Sequence, residues 1–316
     1  MTNPANAARL TPIYFVMLLV PLFWGGAFGV TKHVVTELPP LTTAALRFFA
    51  AGILMAAGAS VLGGWDWAAV RRRWLGLSLL AITGIFGYNY FFTVGIQYTS
   101  AINAVLVVVI NPVTTALVAV TLLGEPCSWR LVAGVGLSFF GVIVTITKGS
   151  LGTLAALSFS LGDLYMLGAV ATWTAYTSIA KLVMKDVPPL TATSASTLIG
   201  SLMLVAASFG EDGWSRLAGI SGQTTAEMIY LIIFPTVVAY FLFNKGIQRI
   251  GASRASAYIN LTPVNAIWIA ALFYGEAVTA AQLTGAALII CGLLLVTVFD
   301  SRQPAPAGTR EPSAAD

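Results

Sequence analysis

Trp173, Tyr176 and Thr177, and likewise Tyr240 and Asn244, stand three or four residues apart inside long apolar runs, so each set shares one face of a helix. Indoles, phenols and amides at hydrocarbon depth are costly against lipid and belong on faces turned to a cavity or a neighbouring helix. Trp24, Tyr88, Asn89, Asn103, Asn111, Tyr258, Asn260, Asn265 and Trp268 lie within other runs. Such residues can hold a small molecule, the rings giving apolar and cation–π contacts and the amides fixing its orientation. They are poorly suited to making or breaking its bonds. The single histidine, His33, lies at a loop edge, and no His-Glu-x-x-His run is present. Asp163 and Glu227 fall near the starts of runs, where helix capping accounts for them. No catalytic residue, metal ligand or cofactor is expected.

Each candidate also has a structural reading. Asn89, Asn111 and Asn260 would serve equally as interhelical hydrogen bonds. A Trp would serve as packing or as part of an interfacial belt, the role expected of Trp65, Trp67, Trp74, Trp129 and Trp214, with Trp24, Trp173 and Trp268 placed deeper. Arg47, the one cation well inside a run, either snorkels to headgroups or meets an anionic group of a cargo. Lys32 and Lys181 sit at helix C-termini, where a cation is favoured. Glu125 and Glu276 lie at hinges and are each expected to cap the helix that follows. Pro112 and Pro263 remove a backbone hydrogen bond mid-run, which makes each a static bend or a gate. Gly25 and Gly29 have the spacing that lets two helices approach closely.

The elements that must position these residues are helices. Apolar runs fall at roughly 13–32, 41–62, 74–97, 101–123, 130–147, 162–182, 190–209, 226–247, 253–275 and 280–299, near the length of about 20 residues that crosses hydrocarbon. Ala104 to Ile110 and similar stretches do not alternate as barrel strands must. Of 316 residues, 58% are hydrophobic and 9% charged, and the mean hydropathy is +0.87, so water is not the main solvent. The net charge of +4 is spread over loops and matches no nucleic-acid-binding motif. Cys127 and Cys291, beside or within apolar runs, are expected as thiols. Twelve of the 16 Lys and Arg residues fall on the side of the N-terminus, which places both termini in the cytoplasm by the positive-inside rule. Residues 1–12 and 300–316 are expected to be disordered tails.

The second half repeats the first. At a separation of 149 residues Trp24 matches Trp173, Lys32 matches Lys181, Pro39-Pro40-Leu41-Thr42 matches Pro188-Pro189-Leu190-Thr191, and Gly64-Trp65 matches Gly213-Trp214. At 151 residues Gly95-Ile96-Gln97 matches Gly246-Ile247-Gln248, Pro112 matches Pro263, Gly124-Glu125 matches Gly275-Glu276, and Gly134 and Gly141 match Gly285 and Gly292. With five runs in each half, the second enters from the opposite face, and the halves are inverted about an in-plane axis. Loop charge agrees, since Arg71-Arg72-Arg73 follow Trp65 whereas Glu211, Asp212 and Arg216 surround Trp214. The first run matches the sixth, so it is expected to belong to the fold and not to a cleaved signal. The expected fold class is an all-α integral membrane protein with ten transmembrane helices in two inverted five-helix repeats. The repeats are residues 13–148 and 162–299, joined by a linker at 149–161. Trp24 and Trp173 are expected at the pseudo-axis as rims of one cavity.

These residues resemble a known family. Leu22-Phe23-Trp24-Gly25-Gly26 with Lys32, then Pro40 and Leu46-Arg47-Phe48, are similar to the opening of an EamA repeat of the drug/metabolite transporter superfamily. Asn111-Pro112, Leu123-Gly124-Glu125-Pro126, Gly134 and Gly141-Val142-Ile143 resemble its end, and Leu261-Thr262-Pro263, Tyr274-Gly275-Glu276, Gly285 and Gly292-Leu293-Leu294 repeat it. The resemblance covers nearly all of residues 13–299. It implies a ten-helix bundle with a central cavity lined chiefly by the first, third, fourth, sixth, eighth and ninth helices, in a family that exports amino acids, other metabolites or drugs. Ser196 stands where the first half has Arg47, so the seventh helix cannot repeat that arginine's role.

The combined expectation is a secondary transporter of a bacterial-type inner membrane. It exports small metabolites, amino acids or similar amphipathic compounds first among them, by alternating access. Expected substrate contacts are Trp24, Tyr88, Asn89, Asn111, Trp173, Tyr176, Tyr240, Asn244, Tyr258 and Asn260, with Pro112 and Pro263 as gates and Arg47 as an anion contact. A drug or cation exporter and a metabolite exchanger are the alternatives, and a channel is a third class. The expected partners are the small-molecule substrate and the lipid bilayer, with no nucleic acid. Protons as coupling ion, exchange and facilitated diffusion stay open, as do monomer and homodimer.

Overall fold

The computed structural model describes residues 12–61, 64–99, 101–155, 159–274 and 277–298. The expected tails and Glu276 lie outside the described residues, apart from Pro12, which opens a short helix, Pro12–Val16. Among the described residues all regular structure is helical, as backbone polar groups in lipid require. The principal helices are α1 (Leu19–Glu37), α2 (Pro40–Val61), α3 (Trp74–Leu80), α4 (Tyr88–Gly95), α5 (Ala101–Val108), α6 (Asn111–Thr121) and α7 (Trp129–Thr147). They continue with α8 (Leu161–Val183), α9 (Pro189–Ser208), α10 (Gly222–Leu231), α11 (Ala239–Ile250), α12 (Ala252–Ala257), α13 (Thr262–Tyr274) and α14 (Ala280–Thr297).

Among the described residues, eight helical stretches are long and apolar enough to cross a membrane. Two of the ten expected runs depart from that description. Helix α8 is 23 residues long, but its Trp173, Thr174, Tyr176, Thr177 and Ser178 dilute its hydropathy. The run at 253–275 is divided into α12, a 3-10 turn at Tyr258–Leu261, and α13. Helices α5 and α6 divide the fourth run in the same way. In both cases the expected proline kink is a break, with Pro112 and Pro263 each at the second position of a new helix. A proline there loses no hydrogen bond that the helix would otherwise make.

A second paired irregularity goes beyond the expectation. Two π-helical segments, Ala81–Gly87 between α3 and α4 and Ile232–Val238 between α10 and α11, are offset by the repeat's own 151 residues. Pro235 has no N–H to offer the Leu231 carbonyl, and Thr236 Oγ1 donates to that carbonyl instead at 2.8 Å. Gly84, the counterpart of Pro235, leaves the space that the Tyr176 ring occupies.

The most extensive helix pairings join repeat-equivalent helices, α7 with α14 and α2 with α9. A Cβ on Gly134 would lie 2.6 Å from the Gly292 carbonyl oxygen, and one on Gly141 would lie 2.8 Å from that of Gly285. Because Gly134 corresponds to Gly285 and Gly141 to Gly292, the crossing is reciprocal and antiparallel. The same holds beyond the ends of α2 and α9, where Gly64 packs on Leu190 and Gly213 on Thr42. Without a hydrophobic drive between helices in lipid, such close approach is what holds a bundle together. At one end of the bundle Arg73 forms an ion pair with Asp186. At the other, Glu37 accepts from Ser221, and Glu211 from Leu41 and Thr42. Cys127 and Cys291 are thiols.

Candidate functional site

Helices α1, α2, α4, α8 and α11 converge on a buried aromatic cluster. Trp24 and Trp173 meet edge to face, their centroids 5.5 Å apart. Tyr88 lies 4.8 Å and Tyr176 5.3 Å from Trp173. Tyr240 lies 5.7 Å from Trp24 and 5.6 Å from Phe48, and Phe243 stands 5.4 Å and 5.5 Å from the two indoles. Each such pair is worth about 0.5–1.5 kcal/mol beyond its buried area. The repeat-equivalent tryptophans therefore meet, but as rings packed on each other and not as rims of an open space. Trp173 is 3% exposed and Tyr240 4%.

Hydrogen bonds tie this cluster to the second π-helical segment. Trp24 Nε1 donates to the Pro235 carbonyl at 2.9 Å, and Arg47 Nε donates to Thr236 Oγ1 at 2.5 Å. The Arg47 guanidinium carbon lies 5.1 Å from the Phe48 ring centroid, so this side chain turns into the bundle instead of snorkelling. Asn244 Nδ2 donates to Tyr176 Oη at 2.7 Å and to Thr193 Oγ1 at 2.8 Å. The buried Asn244 Oδ1 and Trp173 Nε1 have no hydrogen-bond partner among the described residues.

Of the expected contacts, Trp24, Tyr88, Trp173, Tyr176, Tyr240 and Asn244 are thus brought together. Asn89 donates to the Ile85 carbonyl at 2.7 Å and its side chain also meets Tyr240, so it borders the cluster. Tyr258 donates to the Tyr14 carbonyl at 3.1 Å, a tie to the N-terminal segment. Asn111 and Asn260 are buried at the two helix breaks, Asn111 with an unpartnered Oδ1 and Asn260 with both amide atoms unpartnered among the described residues. Trp268, expected to be deep, is 47% exposed on the outer surface, because α13 turns its Gly25-facing side inward at Thr262 and Asn265. Phe48, Phe243, Thr193, Pro235 and Thr236 join the site without having been expected there. Phe243 follows Tyr240 by three residues, a spacing that carried the signal.

Two expectations for charged residues are corrected. Glu125 caps α12 and not the following α7, whose N-cap is Ser128. Lys181 is ion-paired with Glu125 at 2.8 Å. Glu227 lies 2.6 Å from His33 Nδ1, and so bridges to α1 instead of only capping its own helix.

Residues 11–147 and 160–298 each match the model of the EamA-like transporter family. The chain is 32% identical over 282 residues to the uncharacterized transporter YyaM of Bacillus subtilis, covering 89% of this chain and 92% of that one. It is 29% identical over 299 residues to a probable amino-acid metabolite efflux pump of Salmonella typhimurium, covering 91% and 95%. One crystal structure shares the fold with a TM-score of 0.78 at 19% identity, over 92% of this chain and 97% of the other. With apolar helices throughout and both halves matching one family, the chain is a multi-pass membrane transporter that belongs to the EamA-like transporter family of the drug/metabolite transporter superfamily.

Proposed function

We propose that the protein exports small metabolites, amino acids or similar amphipathic compounds, by alternating access around the Trp24–Trp173 cluster. In this reading ten helices form two inverted halves in a bacterial-type inner membrane, with both termini cytoplasmic. The observation that carries it is the meeting of repeat-equivalent tryptophans, one of which is bonded to a π-helical segment of the opposite half. Irregular backbone within membrane-spanning segments is characteristic of substrate sites in carriers. With the rings packed on each other the passage is closed. Cargo then enters by exchanging ring–ring contacts for ring–cargo contacts, and it offers partners to the buried Asn244 Oδ1 and Trp173 Nε1. The breaks at Pro112 and Pro263 act as the gates, since each half-helix can tilt where its hydrogen-bond ladder is already interrupted.

The name of the Salmonella relative supports amino-acid metabolites as cargo. The aromatic faces favour organic cations as the second reading, through cation–π contact. Counterflow in proteoliposomes separates the two. Vesicles preloaded with unlabelled amino acids are expected to accumulate the labelled counterpart, and accumulation only with lipophilic amines would favour the second reading. Silence across the panel with folded protein would overturn the carrier reading.

A further inference from the structure

Arg47 is placed where a fold-holding arginine has little to do. It lies seven residues into α2, about 10 Å along the helix axis, and its guanidinium points inward beside the phenols of Tyr88, Tyr230 and Tyr240. Of five N–H donors, Nε alone has a hydrogen bond among the described residues, to Thr236 Oγ1. Among the described residues no carboxylate pairs with it. Glu125 is occupied by Lys181 and α12, Glu227 by His33, Asp163 by Ser160 and Thr99, Glu211 by Thr42 and Glu37 by Ser221.

The repeat provides an internal control. Ser196 holds the equivalent position in α9 and bonds to its own helix at Ala192, so the same helix is built in the second half without a cation. A cation held away from water without a counter-charge is costly, and one retained there marks a place where a counter-charge arrives. We infer that Arg47 receives the carboxylate of the cargo, which makes the cargo an organic monocarboxylate with an apolar or aromatic body. The two terminal guanidinium nitrogens offer the planar fork that a carboxylate accepts in bidentate fashion. A single cation balances a single negative charge, which disfavours phosphates and dicarboxylates. Phe48 and Tyr240, in contact with each other beside Arg47, lead from the charge into the aromatic cluster that would cover the body of the cargo.

This inference rests on the carrier reading, and the test separates the two. Counterflow of labelled L-phenylalanine is measured in proteoliposomes preloaded with L-phenylalanine, phenylpyruvate, L-phenylalaninamide or phenethylamine, for wild type, Arg47→Lys and Arg47→Gln. The wild type is expected to respond to the two carboxylates at least tenfold better than to the amide or amine. Arg47→Gln should lose that preference, and Arg47→Lys should keep part of it. Because counterflow of labelled phenylalanine itself presumes a carboxylate, labelled phenethylamine is run in parallel. Amine exchange without carboxylate exchange would overturn the inference and leave the carrier reading standing, whereas no exchange of any label by folded wild type would overturn both. Should Arg47→Gln fail to fold, the wild-type carboxylate-to-amide ratio and Arg47→Lys still decide, and a ratio near one overturns the inference.

Discussion

Lys181 Nζ lies 2.8 Å from Glu125 Oε1, joining the loop after α6 to the end of α8 in the other half of the chain. The same carboxylate accepts the N–H of Ala252 at 2.7 Å and of Ser253 at 3.2 Å. Gly251, at φ +89°, makes the turn that presents these groups, and a Cβ there would lie 2.7 Å from Glu125 Oε1. One buried carboxylate thus neutralises a lysine and caps a helix at a single end of the bundle. The sequence places the same residue types once more, as Lys32 and Glu276.

Burial works against ionisation of Glu125, but the bonds from Lys181, Ser253 and Ala252 outweigh it and hold its pKa below the ordinary 4.5. A depressed carboxylate contributes stability that is complete above its unfolded pKa and is lost as pH falls through its folded one. Glu125→Gln is therefore expected to lower stability by about 1–3 kcal/mol at pH 7. The gap between variant and wild type should hold down to pH 4.5 and shrink below it. Thermal melting of purified protein in detergent at stepped pH measures this, and a gap unchanged at the lowest pH would contradict the assignment.

Trp173 touches Trp24, Tyr88, Tyr176, Tyr240 and Phe243. Trp173→Ala and Tyr240→Ala are each expected to reduce counterflow at least tenfold while the protein stays monodisperse. Trp24→Phe keeps a ring but drops the bond to Pro235, and should cost less. Normal transport by folded Trp173→Ala would remove the cluster from the pathway.

Eight of the ten expected spans were legible because the length of an apolar run is set by the bilayer and survives in composition. Pro112 and Pro263 announced an irregularity in their helices, since a proline marks its own missing hydrogen bond. The π-helical segments were not legible, because no apolar periodicity encodes a single widened turn. Pro235 beside Thr236 was the available sign. The direction of Arg47 was equally hidden, since its depth suits both snorkelling and an inward bond, and its partner lies 189 residues away. Glu125 looked like a local cap because sequence proximity favoured α7, but Ser128 already fills that place and the open N–H groups belong to α12, 127 residues distant.

Thr236 makes two bonds with one hydroxyl, donating to the Leu231 carbonyl and accepting from Arg47. Thr236→Val preserves shape and removes both. It is expected to cost about 1–3 kcal/mol, the usual penalty for a buried group left unpaired, and to weaken transport by releasing Arg47. Thr236→Ser should restore both properties in melting and counterflow assays. A defect in the Ser variant beside normal behaviour of the Val variant would show that the methyl group, and not the hydroxyl, is what matters.

The α7–α14 crossing gives two nearby glycines opposite roles. A Cβ on Gly134 would meet the Gly292 carbonyl and the Val296 side chain at 2.6 Å, whereas Gly136, two residues on, has nothing within 4 Å. Gly134→Ala forces the helices apart along a contact that depends on close approach and on the bond from Ser138 Oγ to the Ile289 carbonyl, and a loss of about 1–3 kcal/mol is expected, the usual cost of overpacking. Gly136→Ala should gain up to about 1 kcal/mol, because alanine loses less backbone freedom in a helix. The two variants differ by one methyl group each, so hydrophobicity cannot explain opposite signs. Melting temperatures that move in the same direction would show that α7 and α14 do not cross at these residues.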